Sequence, residues 1–158
     1  MQRAPDADMI ARRFEDLVCW QLARELERRL IAIIATLPAR DDFDFCRQIR
    51  KSASSAPRNI AEGFGRFLPG DFAKFVRTAR GSLEETKDHL DAGRERGYFG
   101  SNEHLEMRRI ASRALGASTN LAVYLEAEAI RWRKSGRRRP APRDRRSEPE
   151  PGTPNREP

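Results

Sequence analysis

This sequence predicts an all-α protein, an antiparallel up-down-up-down four-helix bundle, and three observations lead there. Between residues 14 and 134 apolar side chains recur about every 3.5 residues, the spacing of one face of a helix. No stretch alternates with period two for long enough to make a strand. The connections near 38–42, 66–71 and 97–101 have five or six residues each, short enough to make consecutive helices antiparallel neighbours.

The first helix carries its seam on Cys19, Ala23, Leu26, Leu30, Ile33 and Leu37 and stops at Pro38. A second apolar strip on it, Leu17, Trp20, Ile31 and Ile34, is either a broad core face or a subunit interface. The second helix runs through Cys46, Ile49, Ala53, Ala56, Ile60, Gly63 and Phe67. Pro57 lies inside it, and because the seam keeps its phase across the proline, one bent helix is expected rather than two. The third helix steps through Phe72, Val76, Ala79, Leu83, Thr86 and Leu90 before Gly93 and Gly97 weaken it. The fourth is expected to start at an N-cap on Ser101 or Asn102. It passes through Ile110, Ala114, Ala117, Leu121 and Tyr124, as far as Trp132.

Outside this pattern lie a short N-terminal arm, residues 1–13, and a tail, residues 135–158. The tail holds six of the ten prolines and no Val, Ile, Leu, Phe, Tyr or Trp. It has nothing to bury against the entropy of ordering and reads as disordered. It also carries seven arginines against four acids, so +3 of the +7 formal charge belongs to it and the bundle is only modestly basic. The arm lacks the apolar stretch of a secretory signal, and no run approaches the ~18 apolar residues of a membrane helix. A cytoplasmic protein with no membrane association is the expectation.

Catalytic and metal chemistry find little support, and the chain is expected to be no enzyme, with no cofactor and no metal. A di-iron bundle needs Glu-x-x-His pairs, but Thr86 and Ser101 stand three residues before His89 and His104. Cys19 and Cys46 sit on apolar seams and suit a core better than a zinc site or a disulfide framework. Gly63 and Gly65 form a lone G-x-G without a strand-turn-helix setting, and no G-x-S-x-G elbow occurs. Glu62 and Glu85, next to seam positions, are read as ion-pairing carboxylates rather than as acids of a catalytic pair.

Basic residues are more informative. Arg47, Lys51 and Arg58, at spacings of 4 and 7, share one face of the second helix, with Arg50 alongside. The fourth helix adds Arg108, Arg109 and Arg113, and Arg131, Arg133 and Lys134 at its end. On one monomer such stripes are balanced by the 20 acids of residues 1–134; repeated around an oligomer their fields sum.

The stretches FEDLVCWQLARELERRL, RQIRKSASSAPRNIAEGFGRF, DFAKFVRTARGSLEETKDHL and RERGYF resemble the small bacterial four helix bundle protein family. That family includes proteins encoded in intervening sequences of 23S ribosomal RNA genes and the accessory variability determinant (Avd) proteins of diversity-generating retroelements. The resemblance spans Phe14 to Tyr124. Its most specific pieces are Asn59-Ile60-Ala61-Glu62-Gly63 and Gly81-Ser82-Leu83-x-Glu85. It implies assembly into a homopentameric barrel, binding of RNA or DNA through basic surfaces, and a reverse transcriptase as partner. An interaction ring with no intrinsic nucleic-acid affinity is the alternative that the ribosomal-insertion members imply. Arg58 and Arg80 stand where the family commonly has small or apolar residues, and both departures add positive charge. The expected nucleic-acid surface is therefore Arg47, Arg50, Lys51, Arg58, Arg77 and Arg80. Asn59, Glu62, Gly63, Gly81, Ser82 and Glu85 are expected to be structural, with the polar ones fixing helix register by hydrogen bonding.

Overall fold

Apolar spacing without strand alternation should bury one stripe per helix, and the four stripes meet in a single core. The computed structural model describes residues 11–36 and 39–136. In these, α1 spans Val18–Ile34, α2 Phe43–Phe64, α3 Pro69–Glu95 and α4 Ser101–Lys134, with short 3-10 turns at Phe14–Asp16 and Ala39–Asp41. There is no strand among them. Each helix packs on its sequence neighbour, and α1 closes the ring against α4. Cross-helix pairs run in opposite senses along α2 and α3, Ser55 with Ser82 and Ser52 with Thr86, so these neighbours are antiparallel. Arg77 with Glu126 and Asp91 with Arg108 give the same sense for α3 and α4. The arm and the tail lie outside the described residues except for 11–13 and 135–136, as do Leu37 and Pro38.

The α3 seam is buried throughout, from Phe72 to Leu90. On α1 the buried track is Cys19, Ala23, Leu26, Leu30 and Ile34, so Ile34 replaces the expected Ile33, which is only half-buried. Of the second strip, Leu17 is also buried, Trp20 stacks edge-on against Phe14 at 5.2 Å, and Ile31 is exposed. The α4 seam departs further: Ala111, Leu115, Ser118, Ala122 and Leu125 are buried, whereas Ala117, Leu121 and Tyr124 are half-buried. A straight helix of 3.6 residues per turn drifts about 20° per heptad from a 3.5 spacing, and over 34 residues the buried face moves by one position. Burial raises the Cys19 thiol to about 11, the state of an inert core cysteine.

α2 is continuous through the buried Pro57. The proline denies a donor to the Ala53 carbonyl. Just beyond it, Arg58 Nε donates to the Ser54 carbonyl at 3.0 Å and Asn59 Nδ2 to that of Ser55 at 2.9 Å. α2 ends at Phe64, so Phe67 leaves the expected seam and packs edge-on against Trp132 at 5.5 Å. At the next junction, Gly97 takes a left-handed φ of +76°; Tyr98 N donates to the Gly93 carbonyl and Gly97 N to that of Arg94, closing the end of α3. α4 is capped by Gly100, one residue before the expected cap, with the Glu103 carboxylate accepting from Gly100 N at 2.9 Å.

Two carboxylates clasp the helices together. Asp42, the N-cap of α2, accepts from Phe45 N at 3.0 Å, from the Tyr98 hydroxyl at 2.8 Å and from Arg96 at 3.2 Å. The Phe45 amide and the Tyr98 hydroxyl hold its carboxyl below the usual range. Asp91 is lowered in the same way by Arg108 and His104 on α4. A folded-state value depressed below the unfolded 3.8 contributes stability above that pH and is lost as pH falls through the folded value. Between about pH 5 and pH 3, the double variant Asp42→Asn/Asp91→Asn should therefore lose less thermal stability than the parent. Equal losses in melts followed by circular dichroism would contradict the assignment.

Candidate nucleic-acid interface

One turn of helix separates Arg47 from Lys51 and two turns separate Lys51 from Arg58, so all three emerge on one side of α2. That side borders a groove of about 620 Å³ between α2 and the C-terminal end of α1. Arg40, Arg47, Arg50, Lys51 and Arg58 line it over a floor that includes Ile34 and Cys46. Among the described residues no carboxylate lines it. Two of the five cations are countered at the rim: Arg40 by Asp41 at 3.3 Å and Arg47 by Asp44 at 3.0 Å. Both pairs are exposed and hold weakly against competition. Arg50, Lys51 and Arg58 form no ion pair among the described residues. Arg58 also borders a second cleft that contains the buried Glu27, whose partner is Arg24. Burial raises the Cys46 thiol, and the nearby Arg50 works against that rise.

Four of the six predicted contact residues thus converge, and two do not. Arg77 lies on the flank of α3 that meets α4 and is paired with Glu126. It lines a separate cleft of about 430 Å³ where Asp71 and Glu126 stand against Lys74, Arg77 and Arg133. Its two carboxylates offset most of this positive charge, so the cleft attracts a phosphate less than the groove does. Arg80 is half-buried, and its Nε has no hydrogen-bond partner among the described residues. Sequence spacing missed Arg40 and also Phe43, the first residue of α2 and a lining residue of the groove.

The motif residues divide as well. Asn59 Nδ2 bonds the Ser55 hydroxyl at 3.0 Å, which lies 2.8 Å from that of Ser82, and one turn away the Thr86 and Ser52 hydroxyls are 3.0 Å apart. This chain of small polar groups joins α2 to α3 inside the bundle. Glu62 and Glu85 take no part in it. Both side chains are more than half exposed and face residues four positions on in the chain, Arg66 just past the end of α2 and His89 on α3. A carboxylate one step off the seam reaches water more cheaply than a buried partner. Gly63 meets Phe72 and Phe75, both 2.6 Å from where its Cβ would lie, whereas Gly81 has nothing within 4 Å.

Among the described residues no group of three or more His, Cys, Asp or Glu side chains could hold a metal ion, and no helix is long and apolar enough to cross a membrane. A family model described as 23S rRNA-intervening sequence protein matches residues 15–116. No curated protein matches the chain.

Proposed function

Because this chain belongs to the 23S rRNA-intervening sequence protein family, we propose that it is a non-enzymatic accessory protein that binds nucleic acid along the groove between α1 and α2. The observation that carries this reading is the groove itself: five cations and, among the described residues, no lining carboxylate and no ionic partner for three of the cations. The groove's cations would displace counterions condensed on the phosphates, and the release of those ions drives binding.

The resemblance to Avd proteins adds assembly of five copies and a reverse transcriptase as partner. A ring repeats the groove around its circumference and sums the fields. Self-association is supported by Leu105, Val123 and Ile130, apolar side chains exposed on α4. Gly116 supports it too, since it lies mid-helix with open space above it where another helix could approach closely.

The test is binding of a labelled structured RNA by the full chain across a salt series, with the mass of the assembly read by light scattering. Engagement of three unpaired cations predicts that log affinity falls with log salt with a slope of about −2 to −3 for each occupied groove. An assembly that binds no RNA at physiological salt would favour the interaction-ring reading and refute this one.

A further inference from the structure

Phe43 is the most exposed large apolar side chain among the described residues, at 81 %. It stands on the rim of the cationic groove. Its neighbour in the pattern, Phe45, turns into the core against Tyr98 and Phe99. The backbone between them is held by the Asp42 cap, which is itself fastened to Tyr98 and Arg96. Phe43 is therefore an aromatic ring on a rigid backbone mount, and presenting it to a ligand costs little ordering of the protein chain.

The charges around it are graded. Asp41 and Asp44 flank the ring, but Arg40 and Arg47 neutralise them, and Asp42 is occupied by its three donors. This end of the groove suits an uncharged, flat group. Further along α2, up to about 22 Å from Phe43 at the usual helical rise, stand the uncompensated Arg50, Lys51 and Arg58.

We propose that the groove takes single-stranded nucleic acid, with one base stacked on Phe43 and the following phosphates on Arg50, Lys51 and Arg58. In a duplex the bases are already stacked on one another, so a duplex could offer only phosphates here. A single strand can splay a base onto an aromatic face, and any base will serve, since all have a π-face. This inference rests on the groove being the nucleic-acid site.

The test uses the full chain with an unstructured single-stranded RNA of about 15 nucleotides and with a duplex of the same length. Phe43→Ala should weaken single-strand binding by about tenfold or more while leaving duplex affinity, salt slope and assembly mass unchanged. Phe43→Trp should restore it. Equal affinity of the alanine variant for the single strand, or an equal loss on both ligands, would overturn the stacking contact. A fall in assembly mass would show Phe43 to be a subunit contact and overturn it as well. A Lys51→Glu/Arg58→Glu variant separates the two levels. If it too bound both ligands normally, the groove would not be the site at all; if it lost binding while Phe43→Ala did not, only the stacking would fall.

Discussion

Replacing Arg50, Lys51 and Arg58 together by glutamate lowers affinity for structured RNA by about a hundredfold or more at physiological salt, and makes the slope of log affinity against log salt shallower by about two to three. The magnitude follows from the geometry. Each side chain lines the same groove and forms no ion pair among the described residues, so each is free to neutralise a phosphate. Each reversal removes one contact and adds one repulsion. The core of α2 is left untouched, because all three side chains lie at the surface; the structural cost is confined to the Arg58 bond to the Ser54 carbonyl and to a second carboxylate on the cleft that holds Glu27. Arg77→Glu is the matching control. It breaks the pair with Glu126 and places two carboxylates side by side, so it costs stability up to about 1 kcal/mol but little RNA affinity. Equal losses of affinity per reversed charge in the two variants, in a filter-binding or anisotropy titration, would mean that general charge, rather than the groove, attracts the RNA.

Gly63→Ala destabilises the bundle by about 1–3 kcal/mol, the range for overpacking a core. A methyl at this position lies 2.6 Å from the Phe72 ring and equally close to Phe75 Cβ, and Phe72 is itself wedged edge-on against Phe64 at 6.0 Å. The rings cannot retreat without opening the contact between α2 and α3. Gly81→Ala should do the reverse. It fills open space on a helix, and removing glycine's freedom in the unfolded chain stabilises by about 0.4–1 kcal/mol. Urea midpoints of the two variants should therefore move in opposite directions. A stability or mass loss in Gly81→Ala would indicate a second copy packed against that part of α3.

These contrasts mark how far the sequence could be read. Four helices follow from the strong apolar contrast of tracks such as Phe72 to Leu90, all of it buried, and their antiparallel order from connections of only five or six residues. The α4 track slipped because a period of 3.5 and one of 3.6 agree over two turns and part company over nine. Phe43 and Phe45 lie nearly opposite each other on a helix, so spacing alone says that one faces out and not which. Arg47, Lys51 and Arg58 were legible as a set because they share one helix, whose own geometry aligns them. Arg77 and Arg108 were not, since their partners Glu126 and Asp91 belong to other helices and pairing depends on how each helix is rotated in the bundle. Glu62 and Glu85 show the same dependence: a position beside a seam is buried or exposed by a small rotation, and here both reach solvent.

The groove as the nucleic-acid site is tested most directly by photo-cross-linking a 4-thiouridine-substituted RNA to the full chain and mapping the adducts by mass spectrometry. Adducts within residues 40–58, with Phe43 among them, are the predicted result. Adducts confined to the arginine-rich residues 137–158, or to the cleft around Arg77 and Arg133, would contradict it.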